Sequence, residues 1–420
     1  MDRLNLPMTT TPVTLLDEHF IHADSVRCPM SVHIEIRVSG RVDVGQLRTA
    51  VRTAAALHPI ARARLDPAPR GSKTLNWEIL PELQFDPLTV ITAEDSGELQ
   101  RAREQLASVS VPLDTAPPFR LYLVHYAGGD YLILNVNHAA ADGLGSLRLM
   151  YSILRAYIGA ADHRGDIDPL LVRDIPATLQ LDGSGQRRKR LTNLVRETSQ
   201  FASKLTSIAP EGDAAKAGYG LFYLHLDPGE VSQLNAKRHV PGSVNDLLVA
   251  AMHMSLANWN SNRGGEPGNH RIMIPVNLRP KAWWHEVFCN YSSSFHINSS
   301  PDQRESPESL MTGIVRQTSV AKEKGFAASF LEPLALGAKL PLWMKNVLIP
   351  ALDTTPLINA VLSNVGNLKE RFSLGDAGEV IEFWFSPPMF LSDGLAMGAS
   401  GYQGGFHLCF RHLHSLMSAD

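Results

Sequence analysis

Cysteine is scarce in this chain of 420 residues. Its three cysteines, Cys28, Cys289 and Cys409, are far apart and form no Cys-x-x-Cys pattern and no Cys/His ligand spacing. The sequence therefore supports neither a disulfide framework nor a zinc site, and no metal ligand is predicted. We expect all three side chains to be buried, reduced thiols.

The sequence also lacks long apolar runs and a large excess of one charge. No segment reaches the roughly 18 uninterrupted apolar residues of a membrane span, and the first 20 residues lack the apolar core of a signal peptide. We therefore expect no transmembrane segment and a cytoplasmic location. The formal net charge of -3 gives no basic surface for nucleic acid, which we do not expect as a partner.

Several common catalytic signatures are missing as well. The chain has no Gly-x-Ser-x-Gly elbow, no cysteine in a His-paired local signature, no P-loop and no dinucleotide fingerprint. Covalent catalysis through serine or cysteine consequently has little support. What the chain does contain is 44% hydrophobic and 19% charged residues, typical of a globular protein with large cores.

The domain organisation follows from length and from changes in composition. A chain of this length favours two domains of about 200 residues each. Residues 1–180 and 216–420 both mix strand and helix patterns, which predicts α/β domains with mixed sheets. Residues 181–215 are interpreted as a linker helix. Its basic run at 186–190 is more typical of a solvated helix face than of an anion site.

The sequence around residues 137–143, Asn-His-Ala-Ala-Ala-Asp-Gly, predicts a loop between a strand and a helix. Residues 121–126 and 131–136 flank a Gly-Gly-Asp turn and form a predicted hairpin, whose second strand is almost wholly apolar. Residues 143–145 predict a turn, and apolar residues then recur at helical spacing over 147–158. Functional side chains are common on loops that two packed elements hold in place.

His138 is the residue of this loop that can transfer a proton. An imidazole has an unperturbed pKa near 6.5, so it can accept the proton of a hydroxyl or amine that attacks a carbonyl. The pattern His-x-x-x-Asp-Gly is short, however, and the chain contains 16 histidines. Taken alone, it is explained equally well by a structural histidine beside a turn-forming Asp-Gly.

Residues 331–352 form a second unusual segment. They are almost wholly apolar but include Pro333, Pro341 and Pro350. Because proline breaks or kinks a helix, one straight helix is excluded. The simpler interpretation is a pair of core helices, and the alternative is a mobile apolar lid or a wall for an acyl chain.

The wider context gives a family resemblance. Residues 137–143 resemble the active-site motif, usually written HHxxxDG, of the chloramphenicol acetyltransferase-like superfamily. That superfamily includes nonribosomal peptide condensation domains, polyketide-associated acyltransferases and wax ester synthase/diacylglycerol acyltransferases. The likeness covers most of the chain, and further segments similar to the family occur in the family's order at residues 40–65, 112–114, 117–120, 244–248, 275–280 and 363–366.

The resemblance implies a fold and a set of residue roles. Two related subdomains would form a V with an active-site tunnel between them. His138 would be the second motif histidine, which abstracts a proton. Asp142 would pair with a buried arginine, for which Arg279 is the matching candidate, and would hold the loop. Gly143 would let the backbone approach the substrate closely and would offer an amide to an oxyanion.

Three further positions belong to this picture. Asn137 stands where the family has its first histidine, and an asparagine side chain can still support the loop through hydrogen bonds. Ser363 and Asn364 would lie in the substrate tunnel near the acyl group, where strands cross between the subdomains.

The implied activity is acyl transfer. The donor would be an acyl-CoA or a phosphopantetheinyl thioester on an acyl or peptidyl carrier protein supplied in trans, and the acceptor a small alcohol or amine. Ester formation is slightly favoured, in natural-product or lipid biosynthesis, by a monomer with no bound cofactor. The alternatives are a non-catalytic relative that binds an acyl ligand or a carrier protein, and an enzyme that cyclises a tethered intermediate.

Overall fold

The computed structural model describes residues 9–68, 72–162, 167–181, 183–237, 240–353 and 356–418. The strands of this part of the chain are β1 (Thr9–Pro12), β2 (Ser31–Val38), β3 (Ala63–Leu65), β4 (Asn76–Ile79), β5 (Leu88–Ala93), β6 (Phe119–Tyr126), β7 (Tyr131–Asn137), β8 (Tyr219–Leu226), β9 (His270–Asn277), β10 (Ser292–Ser299), β11 (Ala360–Leu368), β12 (Val380–Ser386), β13 (Leu395–Tyr402) and β14 (Gly405–Leu413).

The same residues form α-helices α1 (Leu15–Ala23), α2 (Val44–Leu57), α3 (Ser96–Ala107), α4 (Gly143–Tyr157), α5 (Ile175–Thr178), α6 (Ser184–Ser199), α7 (Pro228–Ala236), α8 (Val244–Asn262), α9 (Pro307–Lys324), α10 (Leu331–Gly337) and α11 (Leu342–Asp353). None of the described helices is long and apolar enough to cross a membrane. All three cysteines are buried, and none of them forms a disulfide.

The strands form one small and two large sheets, which confirms the predicted α/β class with mixed sheets. The first large sheet has the order β12-β2-β7-β6-β5, and its strands are antiparallel except for the parallel pair β5 and β6. Alternate side chains of β2, from Val32 to Val38, pack into a core shared with α2 and α4. The predicted hairpin forms the centre of this sheet.

The second large sheet has the order β10-β9-β11-β13-β14-β8. Side chains of α8 and α9, including Val249 and Ile314, pack against it in a second core. β13 was not predicted, because its sequence, Leu-Ala-Met-Gly-Ala-Ser-Gly-Tyr, has little strand propensity. Close packing demands these small residues. A Cβ atom at Gly398 would lie 1.8 Å from the carbonyl oxygen of Phe385 in β12.

One strand of the C-terminal half of the chain joins the first large sheet. β12 belongs to the C-terminal half of the chain, yet it pairs antiparallel with β2 at the edge of the first sheet. It also touches β13 and β14 of the second sheet. The division of the chain at residues 180 and 216 and the V shape of the arrangement stay predictions.

The apolar segment 331–352 differs from the simpler expectation. It folds as α10 and α11, but the exposed fractions of Leu336, Trp343 and Val347 are 70%, 68% and 64%. The buried side chain of α11 is instead Lys345, whose Nζ lies 2.7 Å from Glu18 Oε1 on α1. The prediction of a core helix pair is therefore wrong for α11, because an ion pair with a distant helix decides which face is buried.

A buried carboxylate joins the two halves of the chain. Glu35 of β2 is fully buried and accepts hydrogen bonds from Arg103 Nε on α3 at 3.0 Å and from Tyr223 Oη on β8 at 3.2 Å. Burial alone would raise the pKa of Glu35, but the neighbouring Arg103 guanidinium holds it below the usual value. The carboxylate is therefore charged at neutral pH and links three elements.

We expect Glu35→Ala to lower the free energy of unfolding by about 3–5 kcal/mol, because it leaves the Arg103 guanidinium without its buried partner. Urea denaturation measures this. Glu323→Ala is the matched control, since Glu323 pairs with Lys324 at an exposed position, where an ion pair contributes little. Equal losses in the two variants would contradict the assigned role of Glu35.

Candidate active site

The loop that carries the motif is fixed at its start by Asn137, the last residue of β7. The Asn137 Nδ2 donates hydrogen bonds to the carbonyl of Val111 at 2.9 Å and to Asp24 Oδ2 at 3.0 Å. Its Oδ1 accepts a hydrogen bond from the Ala139 amide at 3.0 Å. Both ends of this buried amide are therefore used to hold the loop, as the resemblance implied for the first motif position.

At its other end the loop runs directly into α4. Asp142 is the N-cap of the helix, because its Oδ1 accepts a hydrogen bond from the Gly145 amide at 2.9 Å. The turn predicted at residues 143–145 is therefore wrong, and the helix begins at Gly143. A Cβ atom at Gly143 would lie 3.0 Å from the ring of Phe385, and glycine lets the two segments approach this closely.

Asp142 also forms the predicted ion pair with Arg279, in the segment that follows β9. The Arg279 Nη1 lies 2.6 Å from Asp142 Oδ2, and both residues are 4% exposed. Asp142 Oδ2 also accepts a hydrogen bond from the Tyr291 amide at 2.7 Å, and Arg279 donates a further one to the carbonyl of Cys289. The pair therefore joins the motif loop to the connection between β9 and β10, at residues near both ends of that connection.

The electrostatics of this pair favour two charged groups. Burial by itself would raise the pKa of Asp142, but the Arg279 guanidinium and the hydrogen bonds from Gly145 and Tyr291 hold it below the usual value. Burial would likewise lower the pKa of Arg279, and Asp142 raises it above the ordinary value. The carboxylate is thus occupied by donors and is not available to accept a proton at neutral pH.

His138 lies between these two anchors and is 7% exposed. Its backbone amide donates a hydrogen bond to the carbonyl of Met30 at 2.7 Å, and its ring stacks on Phe20 of α1 with 3.7 Å between centroids. Among the described residues, its buried Nδ1 has no partner in hydrogen-bond geometry. This leaves Nε2 as the ring nitrogen that can form a hydrogen bond with a ligand.

Burial lowers the pKa of His138 to about 4. This value includes a smaller lowering by the charge of Arg279, and it includes the opposite effects of the charge of Asp142 and of the residue's own backbone carbonyl. The imidazole is therefore neutral at physiological pH, which is the form that accepts a proton.

A cavity of about 420 Å³ lies beside His138. It is lined by strands of both large sheets, by α1 and α6, and by the segment around α10. Most of its wall is apolar, and the residues that line it include Met30, Val32, Met273, Phe326, Phe330 and Phe385. This size and composition are typical of a site for a small molecule with an apolar part.

The structure separates the two residues that were predicted to lie in the substrate tunnel. Gly143 and Ser363 line the cavity beside His138, but Asn364 is not part of its wall. Successive side chains of a strand point to opposite faces, and the Asn364 Oδ1 accepts a hydrogen bond from the Gly366 amide at 2.8 Å. Asn364 is therefore removed from the candidate site.

Sequence reasoning missed other polar residues of the cavity, namely His19 of α1, Glu197 of α6 and His296 of β10. No motif marks them, because they meet only through tertiary packing. Burial, with smaller contributions from the nearby His138 and His22, lowers the pKa of His19 to about 4. In the described part of the chain, no group of three or more His, Cys, Asp or Glu side chains could hold a metal ion.

Comparison with known proteins places this site in a family. No family model matches the chain. It is 33% identical over 414 residues to an uncharacterized protein found in two strains of Mycobacterium tuberculosis, a match that covers 96% of this chain and 94% of the relative. The chain belongs to the family of this mycobacterial protein.

Solved structures identify the fold. The starter condensation domain of rhizomide synthetase, in a mutant form in complex with C8-CoA and Leu-SNAC, aligns with a TM-score of 0.68 and 13% identity over 98% of this chain and 90% of that one. The epimerization domain from the third module of tyrocidine synthetase B aligns with a TM-score of 0.65 and 16% identity over 99% of this chain and 94% of that one. The chain thus has the fold of condensation domains, as the resemblance implied.

We expect Asp142→Ala and Arg279→Ala each to lower the free energy of unfolding by about 3–5 kcal/mol, because each leaves one buried charge without its partner. His138→Ala should change the melting temperature little, since among the described residues its buried Nδ1 has no hydrogen-bond partner and the backbone hydrogen bond to Met30 is kept. Thermal and urea denaturation measure all three variants. A His138→Ala protein that does not fold would show that this histidine is structural.

Proposed function

We propose that this protein is an acyltransferase, which moves an acyl group from a CoA or carrier-protein thioester to a hydroxyl or amine acceptor with His138 as general base. The observation that carries the proposal is the neutral imidazole of His138 at the wall of a largely apolar cavity, within a condensation-domain fold. A protein of this fold can also bind a ligand without catalysing a reaction. The position of the His138 imidazole at the cavity wall is therefore what favours an enzyme.

The reaction requires one proton carrier. The acceptor O–H or N–H gives its proton to His138 Nε2 while its lone pair attacks the thioester carbonyl carbon. The tetrahedral intermediate then re-forms the carbonyl and breaks the C–S bond. The imidazolium returns the proton to the leaving thiolate, so that the products are an ester or amide and a free thiol.

The surroundings of His138 suit this sequence of steps. Asp142 is occupied by Arg279 and by two backbone amides, so it orients the loop and takes no proton. Gly143 lines the cavity at the first position of α4, where backbone amides at the positive end of a helix can stabilise the developing oxyanion. These roles are part of the proposal.

The nature of the donor is inferred from the cavity and from one relative. The apolar wall suits an acyl chain, and Ser363 lies beside it. One similar condensation domain is in complex with C8-CoA and Leu-SNAC, which supports a thioester donor for this chain as well. A carrier protein acting in trans, a monomeric state, a cytoplasmic location and a role in natural-product or lipid biosynthesis belong to the same proposal.

Two alternatives lead to different experimental outcomes. A non-catalytic relative is suggested by Asn137, although the hydrogen bonds of this residue are those of loop support and leave the base intact. Cyclisation of a tethered intermediate is suggested by the similar cyclization-docking bidomain, which aligns with a TM-score of 0.65. The mass of the product distinguishes cyclisation from simple transfer.

We expect His138→Ala to lower kcat for acyl transfer by roughly 10²–10⁴-fold, because it removes the general base. The measurement is thiol release and product mass across a panel of acyl-CoA donors with alcohol and amine acceptors. His225→Ala is the control, since His225 lies on β8 outside the cavity wall. Equal rates for wild type and His138→Ala would contradict the base assignment, and no turnover of any donor would favour the binding alternative.

A further inference from the structure

A second polar cluster lies in the cavity away from the motif, and the proposed reaction does not use it. Glu197 of α6 and His296 of β10 both line the cavity, and the His296 Nδ1 lies 3.1 Å from Glu197 Oε2. Glu197 is 7% exposed, which is unusual for a carboxylate. The cluster interrupts a wall that is otherwise largely apolar.

Strand β10 connects this cluster to the motif. The Tyr291 amide, just before the strand, donates a hydrogen bond to Asp142, and His296 lies five residues further along. At about 3.3 Å per residue, His296 is roughly 16 Å from that contact. Of the residues of β10, Ser292, Ser293, Ser294 and His296 line the cavity along the way. A single elongated ligand could therefore reach both His138 and the cluster.

The hydrogen bonding of Glu197 is incomplete. Among the described residues its buried Oε1 has no hydrogen-bond partner. Arg271 is close enough for its charge to interact with Glu197. Its Nε and Nη1, however, donate to Asn298 Oδ1 and to the carbonyl of Leu357, each at 2.7 Å. A buried acceptor without a donor is costly and calls for a specific reason.

The geometry of the cluster is fixed by an aromatic ring. Phe201 lines the cavity and contacts the His296 ring edge to face, with 5.0 Å between centroids. The Arg271 guanidinium lies 4.6 Å from the centroid of the same Phe201 ring. The imidazole and the carboxylate are thus held in place without a substrate, as a binding site requires.

We propose that Glu197 and His296 form a recognition subsite for a hydrogen-bond donor, a hydroxyl or an ammonium group, that the substrate carries far from its reacting atom. The inference deepens the proposed function and rests on it, because it gives the substrate class of the same cavity: a chain with a remote hydroxyl or amino group. The Glu197 carboxylate is the acceptor, and His296 orients it through Oε2.

A purely structural role for the pair would be to attach α6 to the rest of the protein. That helix already has other attachments of this kind. The Arg190 Nε lies 2.6 Å from Glu332 Oε1, and the Asn193 Nδ2 donates to the carbonyl of Lys324 at 2.9 Å. None of these four residues lines the cavity. Glu332→Gln therefore serves as a matched control that weakens the attachment of α6 and leaves the proposed subsite intact.

The test measures ligand binding by the full chain and does not depend on turnover. Decanol, decanediol and aminodecanol are titrated by calorimetry into wild type, Glu197→Gln and Glu332→Gln. A hydrogen bond to a charged group corresponds to about tenfold or more in affinity. Two affinity ratios are compared, aminodecanol to decanol and decanediol to decanol. We expect Glu197→Gln to reduce the first ratio by about tenfold. It should reduce the second ratio by less, because an amide still accepts a hydrogen bond. Glu332→Gln should leave both ratios unchanged.

Unchanged ratios in Glu197→Gln, or equal changes in both variants, would overturn the proposal. A larger loss for aminodecanol identifies an ammonium ligand, and a larger loss for decanediol identifies a hydroxyl. If Glu197→Gln does not fold, as judged by circular dichroism, His296→Gln replaces it with the same expectation in weaker form. Binding selectivity in a protein that transfers no acyl group would retain the subsite and reject the proposed function.

Discussion

The buried ion pair between Asp142 and Arg279 is the interaction on which the rest of the candidate site depends. It links the loop that leaves the first large sheet to the segment that connects two strands of the second. The same carboxylate caps α4, so one side chain sets both the start of the helix and the path of the loop. Two buried charges are costly unless they are paired and fully hydrogen-bonded. The position of His138 follows from this arrangement.

Burial gives His138 the protonation state that the proposed chemistry needs. A histidine with an unperturbed pKa would be partly protonated near neutral pH, whereas this imidazole has a pKa lowered to about 4 and stays neutral. In the unfolded chain, His138 takes up a proton at a higher pH than it does in the folded chain. The contribution of His138 to folding stability is therefore complete above about pH 6.5 and is lost as the pH falls toward 4.

The sequence predicted what depends on local pattern and on the motif. β2 follows from its alternation, and the partner of Asp142 follows from the resemblance at Arg279. The start of α4 was misjudged, because two glycines suggested a turn where the Asp142 cap begins a helix. Contacts made only by tertiary packing left no pattern to find. Examples are the stacking of Phe20 on His138 and the pairing of Glu197 with a strand distant in sequence. The exposed apolar face of α11 also depends on a tertiary contact, the ion pair of Lys345 with Glu18.

The proposed chemistry depends on His138 being a buried, neutral base at neutral pH. The most direct measurement is an NMR titration of its imidazole resonances, assigned by their absence in His138→Ala. We predict a pKa near 4 and no change of protonation between about pH 5.5 and 8. A transition near pH 6.5, the value of an exposed histidine, would contradict it.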